Sequence, residues 1–318
     1  MLTGSSLKAT LDLNWDDPAE RSAGLKELLT VLTAVEGYLA TAADPVANAS
    51  LVVARQVEAQ DVVHDPAGTP SLRRGVAKDR RISIEDAQMR HGRKSRSVRI
   101  DGFKRHVLAD LESDLIVAVG ITPANEPEAD VTDSIADDLN HLGVELSELH
   151  IDRAYLASRL VRDRPDGLAI YCKAWPVHNG PRFPKTAFHL DWDAQLITCP
   201  NDVAIHFQPG RVVHFPPGHC QLCPLRERCT MSRTGRSVTI HPDERLLQEL
   251  RTRQQTPSGR ADLRKRVKVE HRLAHLGHWQ RSRARYLGVR KNLFDTRRAA
   301  TVNNLHAIAR RFPVPLAA

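Results

Sequence analysis

The sequence lacks an apolar run of 18 residues, the length that a membrane-spanning helix requires, so we expect no membrane partner. It also lacks internal repeats and low-complexity segments, so no repeat architecture is expected. The first twenty residues carry acidic side chains where a secretory signal needs a basic and then an apolar stretch, which predicts a cytoplasmic protein. At 318 residues and 41% hydrophobic content, the chain has enough apolar side chains to bury a core in one large domain or two.

Charge is distributed unevenly along the chain. From residue 211 to 318 there are 23 Lys and Arg against 7 Asp and Glu, or +16, although the whole chain carries only +8. The remainder is therefore acidic, at −8. This asymmetry favours a polyanionic partner, nucleic acid, held mainly by the C-terminal part. A solvated basic surface is the alternative.

Cysteine is scarce, and four of the five cysteines lie close together in sequence: Cys199, Cys220, Cys223 and Cys229. Disulfides are rare in cytosolic proteins, and a Cys-x2-Cys pair with two further thiols suits tetrahedral Zn²⁺. We therefore predict a structural zinc site in a loop-rich insertion with little apolar core. Four reduced thiols beside turn-forming prolines are the alternative. Cys172 stands apart and is expected in the core.

The apolar pattern predicts an α/β chain. Residues 18–60 read as helical. Strands are expected at 103–109 and 115–121, joined by a turn at 112–114, and an amphipathic helix at 128–142 that Gly143 ends. A short strand follows at 148–152. Helices are expected again at 261–277 and 294–312.

Asp152 stands at the carboxyl end of that short strand, where catalytic groups gather in open α/β sheets. A turn or capping aspartate is the alternative. On an ideal helix that begins at Leu263, Glu270 falls within the apolar stripe and should face the core. A buried lone carboxylate is costly unless it is paired or binds a cation, and Arg266, one turn earlier, is a possible partner.

An aspartate at a strand end and a core-facing glutamate suit one chemistry well. Carboxylates can hold a pair of Mg²⁺ ions, of which one activates a nucleophile and the other stabilises the leaving oxygen of a phosphodiester. The basic run after Glu270 suits contact with phosphates of DNA. It contains Arg281, Arg283, Arg285, Arg290 and Lys291.

Four segments resemble bacterial insertion-sequence DDE transposases, which have a ribonuclease-H-like catalytic domain. They are MRHGRKSRSVRIDGFKRH (89–106), ITPANEPEADVT (121–132), HIDRAY (150–155) and RKRVKVEHRLAHLGHWQRSRARYLGVRKN (264–292). The resemblance implies that Asp152 and Glu270 are catalytic acids that bind Mg²⁺, and that Arg266 is the arginine found four residues before the glutamate. It also implies transposon ends and target DNA as partners and a homo-oligomer. Neighbouring transposase groups often have a tyrosine at the position of Leu263 and a lysine at the position of Gly277. Because this sequence departs from both, the roles of that tyrosine and lysine are not transferred.

The resemblance also leaves one acid unaccounted for. The family's fold begins with a central strand that bears the first aspartate, and no such strand precedes the helical segment at 18–60 here. Asp101 and Asp110 flank a strand that matches the family's second strand. We therefore expect an N-terminally truncated copy, inactive by itself, unless a separate chain or an upstream reading frame supplies the missing strand.

The expected organisation has four parts. An N-terminal helical segment (1–75) precedes the first part of a ribonuclease-H-like mixed sheet with flanking helices (76–171). The Cys-rich insertion (172–245) and the C-terminal helical part of the catalytic core (246–318) follow. Besides a transposase, the sequence allows a non-catalytic zinc-bearing DNA-binding remnant or a metal-dependent nuclease outside transposition.

Overall fold

The computed structural model describes residues 11, 13–42, 44–95, 97–281 and 283–312. The chain divides into two compact units. The first contains residues 1–105, 121–126 and 280–298, and the second contains residues 106–120, 127–279 and 299–318. Most of the chain start, on which the signal-peptide prediction rests, lies outside the described residues. No helix in the described part is long and apolar enough to cross a membrane.

In the first unit, the predicted helical segment forms two helices, α1 (Pro18–Leu39) and α2 (Pro45–Asp61). Each begins with an aspartate whose carboxylate accepts hydrogen bonds from the first-turn amides, followed by proline: Asp17 caps α1 and Asp44 caps α2. This arrangement satisfies amides that would otherwise lack a partner. Strands β1 (Val62–His64) and β2 (Pro70–Leu72) then form an antiparallel pair.

The predicted hairpin supplies two strands, β4 and β5, of a three-stranded sheet in the order β3-β4-β5. Strands β3 (Arg90–Arg93), β4 (Arg99–Ala109) and β5 (Ile116–Pro123) follow one another along the chain. β3 pairs with β4 in antiparallel register, and Gly92 lies opposite Ile100. A side chain at Gly92 would collide with the Ala124 carbonyl, because a Cβ atom there would overlap that oxygen. Strand β5 is almost entirely buried, as its continuous apolar run predicts.

In the second unit, helix α3 (Thr132–Leu142) ends at Gly143, which takes the left-handed conformation with φ 62°. Ile135 and Leu139 of this helix pack on Ala118 of β5. Strand β6 (Glu148–His150) then pairs in parallel with β7 (Ala169–Tyr171), and the short helix α4 (Arg159–Arg162) lies between them in sequence. The predicted order of strand, strand, helix, strand is therefore confirmed. Cys172 is buried in the core beneath β7, as predicted.

The cysteine-rich insertion has more structure than its sequence predicts. It forms short strands β8 (His189–Asp191), β9 (Leu196–Thr198), β10 (Ala204–His206), β11 (Val212–His214) and β12 (Ser237–Thr239), with helices α5 (Pro217–Gln221) and α6 (Arg226–Cys229). Strands β8, β9 and β10 form one antiparallel sheet, and β11 pairs with β12. The expectation of little apolar core was wrong, because aromatic and β-branched side chains close over a core of their own: Phe188, Leu190, Ile197, Phe207, Val213, Phe215, Val238 and Ile240.

Helices fill the C-terminal part: α7 (Glu244–Arg253), α8 (Pro257–Lys265), α9 (Val267–Gln280) and α10 (Val289–Arg311). The single helix predicted over 261–277 is divided at Arg266, which ends α8. The final predicted helix is present and begins five residues earlier than expected. The chain is thus a mixed α/β protein with several small sheets, in agreement with a ribonuclease-H-like transposase fold.

Candidate active site

Asp152 lies just beyond the end of the parallel pair. The amide of Ile151 donates to the Tyr171 carbonyl, which extends the pairing of β6 and β7 by one hydrogen bond. Asp152 then leaves the sheet and caps a short 3-10 turn, where its Oδ1 atom accepts from the Arg153 amide at 2.6 Å. Its second oxygen is left for other partners, and the side chain is 51% exposed. The strand end thus presents the second carboxylate oxygen to side chains outside the turn.

Arg266 brings the two predicted acids together. Its Nη1 atom donates to Asp152 Oδ2 at 3.0 Å, and its Nη2 atom lies 2.9 Å from Glu270 Oε1. The position of Arg266 between α8 and α9 lets its side chain reach one turn along α9 as well as across to the sheet. Because both carboxylates contact one planar guanidinium, they lie close to each other although 118 positions separate them.

The predicted burial of Glu270 was wrong. Its side chain is 57% exposed, and Val267, expected on the same apolar stripe, is exposed as well. The buried face of α9 instead carries Arg272, Leu276 and Gln280. Arg272 and Gln280 on that face interrupt the apolar pattern. The predicted orientation of Glu270 also assumed one continuous helix from Leu263, whereas the helix is divided at Arg266. Glu270 therefore faces solvent beside Asp152, where an ion can reach it.

A contact between a half-buried tyrosine and a buried histidine supports the segment that bears Asp152. Tyr155 ends the 3-10 turn, and its hydroxyl lies 2.7 Å from Nδ1 of His106, which is 3% exposed. Burial is the largest cause of a raised pKa at Tyr155, and the nearby Glu128 and Asp152 add to it, so the phenol stays protonated. Tyr155 thereby fixes the turn that begins at Asp152 to strand β4.

Within the described residues, no group of three or more His, Cys, Asp or Glu side chains is arranged to hold a metal ion. The two other candidate acids, Asp101 on β4 and Asp110 directly after it, have partners of their own. Asp101 pairs instead with His91 at 2.6 Å, and Asp110 accepts from the Ser113 amide at 2.7 Å. Asp152 and Glu270 are the oxygen ligands that Mg²⁺ prefers, and a cation already neutralises them, so the pair suits an ion but supplies only two ligands.

The four clustered cysteines line one pocket, together with Asn201, Phe215, His219 and Arg236. Two backbone amides donate to their sulfurs: Asn201 to Cys199 at 3.4 Å and Arg236 to Cys220 at 3.5 Å. The pKa of the Cys229 thiol is raised, mainly by burial, while Arg236 lowers it and the other three cysteines raise it. The sulfurs face a common space, yet in the described part of the chain they do not form a closed set of metal ligands.

The predicted DNA-contacting residues all lie on the surface. Arg281, Arg283, Arg285, Arg290 and Lys291 are exposed. They belong to the first compact unit, where they occupy the loop between α9 and α10 and the first turn of α10. No acidic residue occurs between positions 281 and 291, so this segment presents concentrated positive charge.

Two charged clusters of the second unit were not predicted. Glu244 is fully buried and contacts Lys185 and Arg251, and its Oε2 atom accepts from the His241 amide at 3.2 Å. Arg272 is 9% exposed and holds Asp114 through both guanidinium arms, with Nε at 2.9 Å from Oδ1. Each cluster had one signal in the sequence: a glutamate at the first position of α7 and an arginine on the apolar face of α9. The clusters were not predicted because the main charged partners lie elsewhere in the sequence.

Comparisons with known protein families identify the chain. A family model described as a transposase DDE domain matches residues 60–171, which include Asp152, and a second model with the same description matches residues 199–309, which include Arg266 and Glu270. No curated protein and no solved structure matches the chain. The two matched segments together cover most of the sequence. The β3-β4-β5 sheet and Asp152 lie within the first segment, and helix α9 with Glu270 lies within the second. The chain belongs to the insertion-sequence DDE transposases, whose partner is DNA.

Proposed function

We propose that Asp152 and Glu270 are two of the acids that cut and join DNA in this transposase, and that Arg266 holds them in place. The observation that carries the proposal is that a single guanidinium contacts both carboxylates. Asp152 projects from a strand end and Glu270 from a helix, and both are half exposed, as groups that meet a bulky polyanionic substrate must be.

The expected cofactor is Mg²⁺, held by Asp152 and Glu270 through carboxylate oxygens. When bound, the ion supplies Lewis acidity to the attacking and leaving oxygens of the phosphodiester. The chain's own residues orient the site: the Arg153 amide fixes one oxygen of Asp152, and Tyr155 anchors the turn. If an ion were held by the two carboxylates, Arg266 would be available to contact a substrate phosphate.

Two carboxylates can hold one ion weakly, and a two-metal centre needs a further bridging acid. We therefore propose that this chain by itself does not cleave transposon ends, and that a third carboxylate must join Asp152 and Glu270. Arg266 contacts two carboxylates, those of Asp152 and Glu270, which supports this view. The exposed basic residues between positions 281 and 291 favour a second candidate function, a DNA-binding protein without catalysis.

Metal binding tests the proposal without requiring activity. We expect Mn²⁺, followed by electron paramagnetic resonance, to bind the purified chain, and Asp152→Asn or Glu270→Gln to weaken binding at least tenfold. Glu249→Gln, which removes an exposed acid of α7, is the matched control and should leave binding unchanged. Equal Mn²⁺ binding by all four proteins would overturn the assignment of both acids.

Strand cleavage then separates the candidate functions. The chain is incubated with DNA bearing the transposon ends and with Mg²⁺ or Mn²⁺, and nicked and joined products are resolved on a gel. We expect neither product. Robust cleavage that Asp152→Ala abolishes would show that another acid of this chain completes the site. Cleavage without any joined product would favour the nuclease alternative.

We further propose that Cys199, Cys220, Cys223 and Cys229 bind one structural Zn²⁺. The shared pocket and the two amide–sulfur contacts support this, because such amides stabilise thiolates. Binding requires the thiols to close in and to lose their protons. We expect one zinc per chain by elemental analysis and less in Cys223→Ser, whereas folded Cys172→Ser keeps its zinc. Zinc-free protein that is unaffected by chelators would refute the site.

The expected homo-oligomer and the expected cytoplasmic location stay predictions. A transposase that joins two transposon ends needs a catalytic centre at each, which is the reason for expecting more than one copy. Size-exclusion chromatography with light scattering, with and without duplex DNA, measures the number of copies directly. A monomer under both conditions would contradict the expectation.

A further inference from the structure

The loop that joins α9 to α10, described at residues 281 and 283–288, combines exposed charge with buried support. Arg281, Arg283 and Arg285 are exposed, and both ends of the loop are left-handed, with φ 61° at Arg281 and φ 81° at Gly288. An isolated loop of this composition would sample many conformations. This loop is instead fixed by side chains of its own compact unit.

A buried aspartate and a glutamine fix the end of the loop. Asp86 is 2% exposed, and its Oδ2 atom accepts from the Gly288 amide at 2.8 Å. The Oε1 atom of Gln88 accepts from the Val289 amide at 2.7 Å. These two side chains cap the N-terminus of α10 from a distant part of the sequence. Gly288 is required, because its φ is left-handed and a Cβ atom would lie 2.8 Å from the Gln88 oxygen.

A second buried side chain holds the C-terminal part of the loop. Asn292 is 7% exposed, and its amide nitrogen donates to the carbonyls of Tyr286 at 2.6 Å and Gly288 at 2.8 Å. Both of its donor bonds are therefore used on loop backbone. A buried amide is costly unless it is paired, so these bonds fix the loop backbone from Tyr286 to Gly288.

Buried polar side chains also fix the start of the loop. Gln280, the last residue of α9, is 9% exposed and donates to Asp295 at 2.9 Å and Thr296 at 3.1 Å. Its oxygen accepts from Arg105 at 3.2 Å. Asp295 and Thr296 lie on α10, so the residues that flank the loop are tied to each other. The loop therefore leaves one helix and enters the next at fixed points.

We propose that the described part of this loop, residues 281 and 283–288, is preorganised and contacts the phosphate backbone of duplex DNA through Arg281, Arg283 and Arg285, and that Asp86, Gln88 and Asn292 are its positioning residues. The proposal deepens the proposed function, since it rests on DNA as the partner. Arg290 and Lys291 extend the basic surface along the first turn of α10. A loop already fixed before binding loses little conformational entropy on DNA, which raises its affinity without new contacts.

The charge component is tested by the salt dependence of binding. Fluorescence anisotropy follows a labelled mixed-sequence duplex at several KCl concentrations, for the full chain and for the triple variant Arg281→Ala/Arg283→Ala/Arg285→Ala. Each lost phosphate contact should lower the slope of log K against log salt by about 0.9, or roughly 3 for the triple variant. The control replaces exposed Arg233, Arg245 and Arg260 by alanine and should keep the wild-type slope. Equal slopes for both triple variants would overturn the proposal.

The positioning component is tested without changing charge. Asn292→Ala removes both hydrogen bonds from Asn292 to the loop. Val289→Pro removes the amide hydrogen that Val289 donates to Gln88, at the first helical position, where proline is tolerated. Each should weaken duplex binding roughly two- to tenfold, the value of one or two lost hydrogen bonds, with an unchanged salt slope. Wild-type affinity in both variants, with circular dichroism showing native helix content, would refute the positioning role. Since Mn²⁺ binding by Asp152 and Glu270 is measured separately, failure of this proposal is distinguishable from failure of the proposed function.

Discussion

The guanidinium of Arg266 donates to Asp152 across 114 positions of sequence, at 3.0 Å. The same group holds Glu270 at 2.9 Å. Arg266 thus occupies the space between the two acids that a divalent cation would need. Its charge offsets the repulsion between two neighbouring carboxylates, so the acids can stay close together in the absence of metal.

This arrangement predicts that Arg266 competes with metal. Arg266→Gln removes the cation from between the acids, so we expect Mn²⁺ to bind several-fold more tightly than to the wild-type chain. Titration calorimetry measures the difference, and Arg264→Gln, which removes an exposed arginine of the same helix, serves as the control. Weaker binding by Arg266→Gln than by Arg264→Gln would mean that Arg266 supports the metal site and does not compete with it.

A second prediction concerns Glu244, which connects the insertion to α7. Burial raises the pKa of Glu244, but the hydrogen bonds from Lys185 and Arg251 together lower it by more. The net effect is a lowered pKa. A folded-state pKa below the unfolded value gives stability that is fully present above the unfolded pKa and is lost as pH falls through the folded pKa. We therefore expect the melting temperature to fall as pH decreases below about 4.3, the ordinary value for glutamate.

Glu244→Gln isolates this contribution. Removing one partner of a buried ion cluster leaves Lys185 and Arg251 without their anion and should cost roughly 3 kcal/mol at neutral pH, the lower end of the range because both cations are partly exposed. The loss should shrink on acidification, because the wild-type chain then loses the same charge. Urea unfolding at pH 7 and at about pH 3, well below the ordinary pKa of glutamate, measures both values. A loss that is equal at the two pH values would contradict this account.

A third prediction concerns Arg272, which joins α9 to the β4–β5 turn through Asp114 and to α10 through Asn303 at 3.3 Å. Arg272→Leu keeps apolar bulk but leaves Asp114 and Asn303 without this partner. We expect destabilisation of about 1–3 kcal/mol, as for other buried polar groups that lose a hydrogen-bond partner. Arg264→Leu is the control because Arg264 is exposed. Equal unfolding midpoints for the two variants would refute the structural role of Arg272.

A fourth prediction concerns Tyr155. Tyr155→Phe removes the hydroxyl that meets His106 and should free the turn that begins at Asp152. Both proposed metal ligands, Asp152 and Glu270, remain in this variant. We nevertheless expect weaker Mn²⁺ binding, together with a loss of about 1 kcal/mol in the free energy of unfolding. Tyr171→Phe, on the neighbouring strand, is the comparison variant. If both variants bind Mn²⁺ like wild type, the Tyr155–His106 contact has no part in positioning Asp152.

Local patterns predicted much of the fold. The apolar run of β5, the left-handed stop at Gly143 and the strand before Asp152 depend on neighbouring residues, and all three are confirmed. Asp152 and Glu270 were predicted to converge, and both contact Arg266. Their catalytic roles stay a proposal.

Other features depend on partners that lie far away in sequence. Arg272 occupies the buried face of α9 because Asp114, 158 positions earlier, neutralises it, and no periodicity in the helix itself indicates this. The same holds for Asp86, which caps a helix 202 positions later. The core of the insertion was missed for another reason, since its apolar residues come from very short strands separated by turns.

The central claim is that Asp152 and Glu270 hold one divalent ion together. Iron-directed cleavage of the polypeptide tests it most directly: Fe²⁺ replaces Mg²⁺, ascorbate and peroxide generate hydroxyl radicals at the ion, and mass spectrometry locates the broken peptide bonds. The account predicts breaks at both the segment around Asp152 and the segment around Glu270, competed by Mg²⁺ and lost together in Asp152→Asn. Breaks at one segment only, or breaks at both that persist in Asp152→Asn, would contradict it.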